Sequence, residues 1–495
     1  MRAKARVVII GRLDPDIYTL NRQCSTPSRQ AEYTVVAFFA AGANRVLLNT
    51  QDRWLLWSGD VKTAFLQGKP EKRDMPIFMK PPPDQISKLA NTFPAKLYLV
   101  EGNVYGIASA PRTWSLEVIR RLLQAGYRQH SLDEMLFCFY GAPDGEDQPR
   151  LLSLCLVYVD DFLVVHSEKY DREHLTCLFA WGSQTECTVD NPIEFKGKTI
   201  SLRYDSACNE YKVSLTQKTF IDAIEGGIVK RGNKGQQIDP KDISEVRSVT
   251  GSLQWVAGQT RPDVAATVSL ASRGGKSTYE DLANLYEAVA HLKRTSSEGI
   301  VFPKVPINEA TCIAVYSDSS WANAKDYTSQ HGALVLLTNQ NVTQVPSSGI
   351  LIDWKSGRSG RVCRSTLAAE ASAADMSVDR ATFINFMISE IIQNCRSFEI
   401  DKALHMIHIT DCKSLYDCIC SPSPNTTEKR TIIDIKSLQQ FVNRETEHWV
   451  PTQYMYADCL TKISKQLMTT FQSWLKNPTL VLRETTHKPK KNLGV

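Results

Sequence analysis

The sequence predicts an α+β domain, then a helical connector, then an α/β domain built on a mixed sheet, and three patterns carry that prediction. Residues 1–204 combine short β-rich runs, Val7–Ile10, Leu151–Val159 and Phe162–Val165, with a helical stretch near Trp114–Ala125. Residues 205–300 place apolar side chains at helical spacing over Val213–Ile228 and Leu282–Leu292, on either side of the polar Lys230–Lys241 loop. Residues 310–470 begin with strand-like runs at Cys312–Tyr316, Gly332–Leu337 and Ile350–Trp354. A long helix near Thr366–Gln393, a strand at Leu404–Thr410 and two more helical stretches complete the α/β order. Residues 471–495 are a basic tail, and Pro81-Pro82-Pro83 is a surface connection.

Composition narrows the class. At 495 residues with 42% apolar side chains, the chain is long enough for several cores and too apolar for bulk disorder. The longest apolar run, Leu151–Val165, is broken by Asp160 and Asp161, which excludes a membrane helix. The apolar stretch after the basic start is too short for a secretory signal, so the chain is expected to stay inside the cell. Thirteen cysteines, an odd number without a C-x-x-C pair, read as reduced thiols. A net charge of +5 permits an acidic partner without demonstrating one. The lone histidines His331, His405 and His448 have no metal-ligand spacing and read as structural or surface groups.

The informative residues are carboxylates at strand ends. Asp160 and Asp161 lie between two apolar runs, at the turn of a predicted hairpin, where aspartate is also at home for purely conformational reasons. A second apolar-flanked acid changes the balance: Asp60 ends the run Trp54-Leu55-Leu56-Trp57-Ser58-Gly59 and precedes a short predicted helix. Acids at two buried strand ends are costly unless a cation lies between them. Oxygen donors of this kind suit Mg²⁺, and a pair of such ions serves phosphoryl transfer.

These residues resemble the reverse transcriptase of copia-type LTR retrotransposons. The likeness rests on Asp60-Val61-Lys62-Thr63-Ala64-Phe65-Leu66-Gln67-Gly68 and, 100 residues on, Tyr158-Val159-Asp160-Asp161. Tyr105-Gly106, Ala110-Pro111-Arg112, Trp114, Phe195, Gly197, Ser214-Leu215-Thr216-Gln217, Gly251-Ser252-Leu253 and Thr260-Arg261-Pro262-Asp263 add to it. The resemblance implies a polymerase right hand of fingers, palm and thumb, with Asp60, Asp160 and Asp161 as catalytic metal ligands. It implies that Phe65 blocks a ribose 2′-OH, and that Gly106, Lys4 and Arg6 border the nucleotide. Ala108 and Ser109 replace the family's usual Lys and Gln, and Lys4-Ala5-Arg6-Val7-Val8 resembles a segment normally preceded by earlier fingers strands, which implies truncated fingers.

Four further acids stand at predicted junctions of the third block, 52, 41 and 47 residues apart: Asp318, Glu370, Asp411 and Asp458. Each alone serves equally well as a cap, a first-turn acid or a strand-end solvent contact. Together, with Tyr316-Ser317-Asp318, Trp321-Ala322, Trp449-Val450-Pro451-Thr452 and Ala457-Asp458-Cys459-Leu460-Thr461-Lys462, they resemble the copia-type RNase H domain. Thr427, Ile432 and Cys412 depart from that pattern. The resemblance implies an RNase H-like fold whose four carboxylates are catalytic and hold metal.

The implied cofactor is Mg²⁺ or Mn²⁺, two ions per active site. The implied partners are an RNA template, a DNA primer, their RNA–DNA hybrid and dNTPs, with no membrane, and a dimer or other polyprotein products as further partners. Arg112, Lys218 and Arg261 are expected to bind nucleic acid, with Lys293, Arg294 and the tail lysines Lys488, Lys490 and Lys491 in support. The expected location is a cytoplasmic virus-like particle or the nucleus. Two rival readings remain: a catalytically impaired remnant that only binds nucleic acid, and a ribonuclease with an inert polymerase half.

Overall fold

The computed structural model describes residues 8–482, except 15, 71, 74, 81–96, 144–147, 230–234 and 274–275. Lys4, Arg6, the Pro81–Pro83 connection and residues 483–495 therefore lie outside the described residues; the tail expected from residue 471 is corrected, since helix Lys465–Leu475 and strand Thr479–Leu480 occupy its first part. The chain divides into two compact units, residues 1–31 with 56–185, and residues 32–55 with 186–495. No helix among the described residues is long and apolar enough to cross a membrane. None of the thirteen cysteines forms a disulfide among the described residues.

The first unit is organised by a six-stranded sheet. Its strands are β1 (Trp54–Val61), β4 (Arg128–Gln129), β5 (Leu136–Gly141), β6 (Arg150–Tyr158), β7 (Asp161–Ser167) and β8 (Trp181–Glu186), in the order β4-β5-β6-β7-β1-β8. A small ribbon pairs β2 (Phe78–Met79) with β3 (Tyr98–Leu99). The helix Ala110–Gln124 begins with Pro111 in its first turn, where a missing amide costs nothing. It lays Trp114, Val118 and Leu122 against Cys155, Val157, Phe162 and Val164 of the sheet, at the i, i+4, i+8 spacing of one helical face. The expected strand at Val7–Ile10 is absent: residues 8–10 are irregular and a 3₁₀ turn follows at Gly11–Leu13. The Ile9 amide donates to the Tyr105 carbonyl at 2.8 Å, but this contact is not continued into a ladder among the described residues.

The second unit contains two sheets. An antiparallel sheet runs β12-β11-β10-β9, from β9 (Ile193–Phe195), β10 (Lys198–Asp205), β11 (Glu210–Thr216) and β12 (Ile300–Phe302). The helical reading of Val213–Ile228 is thereby corrected. Val213 and Leu215 alternate inward on β11, and only Lys218–Ala223 is helical. The boundary expected at residue 204 falls in the β10–β11 hairpin, where Asp205 pairs with Glu210. Helices Ile243–Gln259, Ala265–Ala271 and Tyr279–Arg294 follow, the last begun by a capping box between Thr278 and Asp281.

The other sheet of this unit comprises β13 (Thr311–Ser320), β14 (Gln330–Asn339), β16 (Ile350–Arg358), β17 (His405–Thr410) and β18 (Glu447–Trp449), ordered β16-β14-β13-β17-β18. The first three strands are antiparallel, while β13-β17-β18 are parallel, so the sheet is mixed as expected. A short ribbon of β15 (Ser347–Ser348) and β19 (Thr479–Leu480) lies beside it. The helix Thr366–Gln393 packs on β13 and β14. Its Ala371, Ala374 and Val378 meet Leu415, Ile419, Ile435 and Leu438 of the two following helices. Alanines on that face let neighbouring backbones come close at no cost in side-chain entropy.

Candidate functional site

Three segments of the first unit build one acidic centre. Asp60 is the next-to-last residue of β1 and stands exposed there. In the β6–β7 hairpin Tyr158 pairs with Asp161, which leaves Val159 and Asp160 to make the turn. Val159 has φ of 57°, a left-handed conformation that a β-branched residue rarely takes. Two contacts hold it. Trp114 Nε1 donates to the Val159 carbonyl at 2.6 Å, and the Val61 amide donates to the Asp160 carbonyl at 2.9 Å. The second bond ties the hairpin to the end of β1, so that Asp60, Asp160 and Asp161 each place an oxygen within 4.8 Å of the others.

The surroundings of this triad are aromatic and tight. Trp57 and Trp181 meet edge to face at 5.4 Å, and Trp181 Nε1 donates to the Thr176 carbonyl at 2.8 Å. β8 passes Asp60 at Gly182, where a Cβ would stand 2.7 Å from Asp60 Oδ2. Burial, and then the charges of Asp160 and Asp60, push the Asp161 carboxyl up to about 6. Three like-charged oxygen donors so close together fit a hard divalent cation.

The second unit gathers the other four acids. Asp318 lies within β13, not after it, and pairs with Gly332 of β14. A Cβ at Gly332 would stand 2.9 Å from both the Ala457 carbonyl oxygen and Leu460 Cβ, so glycine there admits the 3₁₀ turn Tyr456–Leu460. That turn, and not the last helix Lys465–Leu475, carries Asp458. Ser365 caps the long helix by accepting from the Ala368 amide at 3.1 Å, which puts Glu370 on its second turn. Asp411 immediately follows β17.

These four carboxylates share one electrostatic field. Burial and Asp458 push Asp318 up to about 7, against the opposing influence of Lys462 and Thr461. Burial, Asp318 and Asp411 push Glu370 up to about 10, and burial raises Asp411 as well. Glu370 Oε2 is buried without a hydrogen-bond partner, the condition of a ligand atom awaiting a cation. Lys462 Nζ stands 2.5 Å from Asp458 Oδ1, and the Thr461 hydroxyl donates to Asp318. Among the described residues no three of these acids reach the mutual spacing of the first triad.

The remaining expected site residues divide. Phe65 packs partly buried against the first unit's core with its ring 5.4 Å from Tyr105. Gly106 has φ of 93°, and a Cβ there would stand 1.9 Å from the Ile9 carbonyl oxygen, so backbone approach alone requires the glycine. Arg112 donates to the Gln23 carbonyl at 3.3 Å, and exposed Lys218 pairs with Asp222 one turn on. Arg261 is a correction. It is fully buried, bound to Asp263 at 2.7 Å and to the Thr295 carbonyl at 2.9 Å, and has no path to a phosphate. Gly182 and Gly332 were missed because nothing adjacent in sequence marks them. Thr461 and Lys462 sit in the quoted Ala-Asp-Cys-Leu-Thr-Lys run, and their spacing from Asp458 was the available signal.

With the acidic triad lying inside it, the segment of residues 2–176 matches the model of the reverse transcriptase (RNA-dependent DNA polymerase) family. The chain is 26% identical over 349 residues to the Retrovirus-related Pol polyprotein from transposon RE2 of Arabidopsis thaliana, covering 68% of this chain and 22% of that protein. It is 22% identical over 494 residues to the Transposon Ty1-JR2 Gag-Pol polyprotein of Saccharomyces cerevisiae, covering 93% of this chain and 25% of that one. The chain thus spans about a quarter or less of these two relatives. A solved structure of Prototype Foamy Virus Protease-Reverse Transcriptase is 14% identical, covering 88% of this chain and 46% of that one, with a TM-score of 0.21.

Proposed function

We propose that the chain is an RNA-directed DNA polymerase with linked RNase H activity, extending a DNA primer on an RNA template and cutting the RNA of the resulting hybrid. The observation that carries the reading is the convergence of Asp60, Asp160 and Asp161 inside the segment that matches the reverse transcriptase family. Asp60, Asp160 and Asp161 would hold Mg²⁺ or Mn²⁺ in the first unit, and Asp318, Glu370, Asp411 and Asp458 in the second. When bound, such ions stabilise the attacking and leaving oxygens of an in-line displacement at phosphorus.

The chain's own residues set the rest. The Trp114 and Val61 bonds hold the hairpin so that Asp160 and Asp161 face Asp60. Phe65, five positions after Asp60 and braced by Tyr105, is the wall against which a ribose 2′-OH would clash, which selects dNTPs. In the second unit Thr461 and Lys462 orient Asp318 and Asp458. Arg112 and Lys218 supply phosphate contacts to the template-primer.

The test is one tube containing a labelled RNA template, an annealed DNA primer, dNTPs and Mg²⁺. Asp160→Asn should abolish extension and spare RNA shortening, and Asp318→Asn should do the reverse. If both variants keep both activities, the assignment is wrong; if folded wild-type protein shows neither, the nucleic-acid-binding remnant is the better account.

A further inference from the structure

Three buried polar side chains of the second unit belong to neither acidic set. Ser317 on β13, His408 on β17 and Glu447 on β18 are 0%, 0% and 2% exposed. Ser317 Oγ lies 2.8 Å from His408 Nε2, and His408 Nδ1 lies 2.7 Å from Glu447 Oε2. Such spacings would suit a serine nucleophile, but a group sealed from solvent meets no substrate. A purely structural polar network is also an expensive choice, since the same volume filled with apolar side chains costs nothing in desolvation. Glu447 Oε1 even lacks a hydrogen-bond partner.

Position explains the expense. The parallel ladder between β13 and β17 ends at Tyr316 and Ile409, and Asp318 and Asp411 each stand two residues beyond it. Past that point no paired backbone fixes the separation of the two strands. The Ser317–His408 bond is a side-chain link at the edge of that ladder, from the first residue beyond it on β13 back to His408, which still pairs with Val315, and His408 directly faces Glu447 in the β17–β18 ladder. The link therefore runs through three adjacent strands. Alternation along β13 puts Ser317 on the opposite face from Asp318, so the link braces the strand under the carboxylate without contacting it.

We propose that Ser317, His408 and Glu447 form a positioning relay that sets the separation of Asp318 and Asp411, and thereby the divalent-cation affinity of the RNase H-like site. The inference rests on the RNase H reading given above. The relay residues are positioning residues, not catalytic ones.

The test compares the full chain with Ser317→Ala, which removes one oxygen, Ser317→Thr, which keeps the hydroxyl, and His408→Gln. RNA cleavage is titrated with Mg²⁺, and the rise in Tm on adding Mn²⁺ to chelator-treated protein is measured in an Asp160→Asn background, so that the first triad is disabled. Ser317→Ala and His408→Gln should raise the Mg²⁺ concentration for half-maximal cleavage roughly tenfold. They should also shrink the Mn²⁺-dependent rise in Tm. Ser317→Thr should restore both readouts, while the KM for hybrid, and primer extension with Asp160 intact, stay unchanged. A lower Tm in chelator with an unmoved Mg²⁺ midpoint would reduce the relay to a packing element and overturn the proposal. If instead the Asp160→Asn protein shows no Mn²⁺-dependent rise in Tm and wild type cuts no RNA, the RNase H reading fails first and takes the relay with it.

Discussion

Two glycines control how closely the acidic centres can assemble. A methyl group at position 182 would stand inside contact distance of Asp60 Oδ2, so Gly182→Ala must turn that carboxylate away from Asp160 and Asp161. Primer extension should fall by roughly 10²-fold, with RNA cleavage and Tm nearly unchanged. Gly332→Val presses on the Ala457 carbonyl and Leu460, and so on the turn that holds Asp458. Cleavage should be lost and extension kept; equal loss of both would mean that the substitution unfolds more than the turn. The acids themselves were legible in the sequence, because a carboxylate between apolar runs is conspicuous by its cost. The glycines were not, because their necessity comes from a strand or turn distant in the chain.

At the scale of elements, the connector shows how a motif residue can be a structural one. Burial alone would raise the Asp263 carboxyl, but the Arg261 charge and the hydrogen bond to His291 hold it down at about 2. A folded-state value below the ordinary 3.8 means stability that is complete above 3.8 and lost as pH falls through about 2. The contribution is worth ~2 kcal/mol. Arg261→Met leaves that carboxylate buried with only His291 beside it, at a cost of about 3 kcal/mol. Urea unfolding should register the loss, while the salt dependence of nucleic-acid binding should keep its slope; a shallower slope would return Arg261 to the phosphate contacts. The helix Arg29–Ala43 escaped the sequence reading for a related reason. It is buried on every side from Ala31 to Ala43, so it has no polar stripe to give a helical period. The β10–β11 hairpin was misread because a helical spacing over Val213–Ile228 outweighed a short alternation at Val213 and Leu215.

Across the molecule, the two acidic centres fall in different compact units, and both carry carboxyls raised above their ordinary values. For a raised acid, folding favours the protonated form. Its contribution to stability is full below the ordinary value and disappears as pH rises through the folded one, near 6 for Asp161, 7 for Asp318 and 10 for Glu370. Chelator-treated protein should therefore melt higher at about pH 5.5 than at about pH 8, and Mg²⁺ should raise Tm more at the higher pH. A Tm independent of pH and of Mg²⁺ would contradict the clustering. The long helix Thr366–Gln393 and the mixed sheet around it were readable because long periodic segments declare themselves. The exact partition was not, since residues 32–55 join the later unit through tertiary packing that no local pattern records.

The edge-to-face pair of Trp57 and Trp181 has a practical consequence. Trp57 sits on the strand that carries Asp60, and Trp181 is the neighbour of Gly182, which faces the Asp60 carboxylate. The first acidic centre thus carries its own optical probe. Occupancy by a cation could be followed by tryptophan emission without a label, and Trp181→Phe would identify how much of the signal comes from that ring.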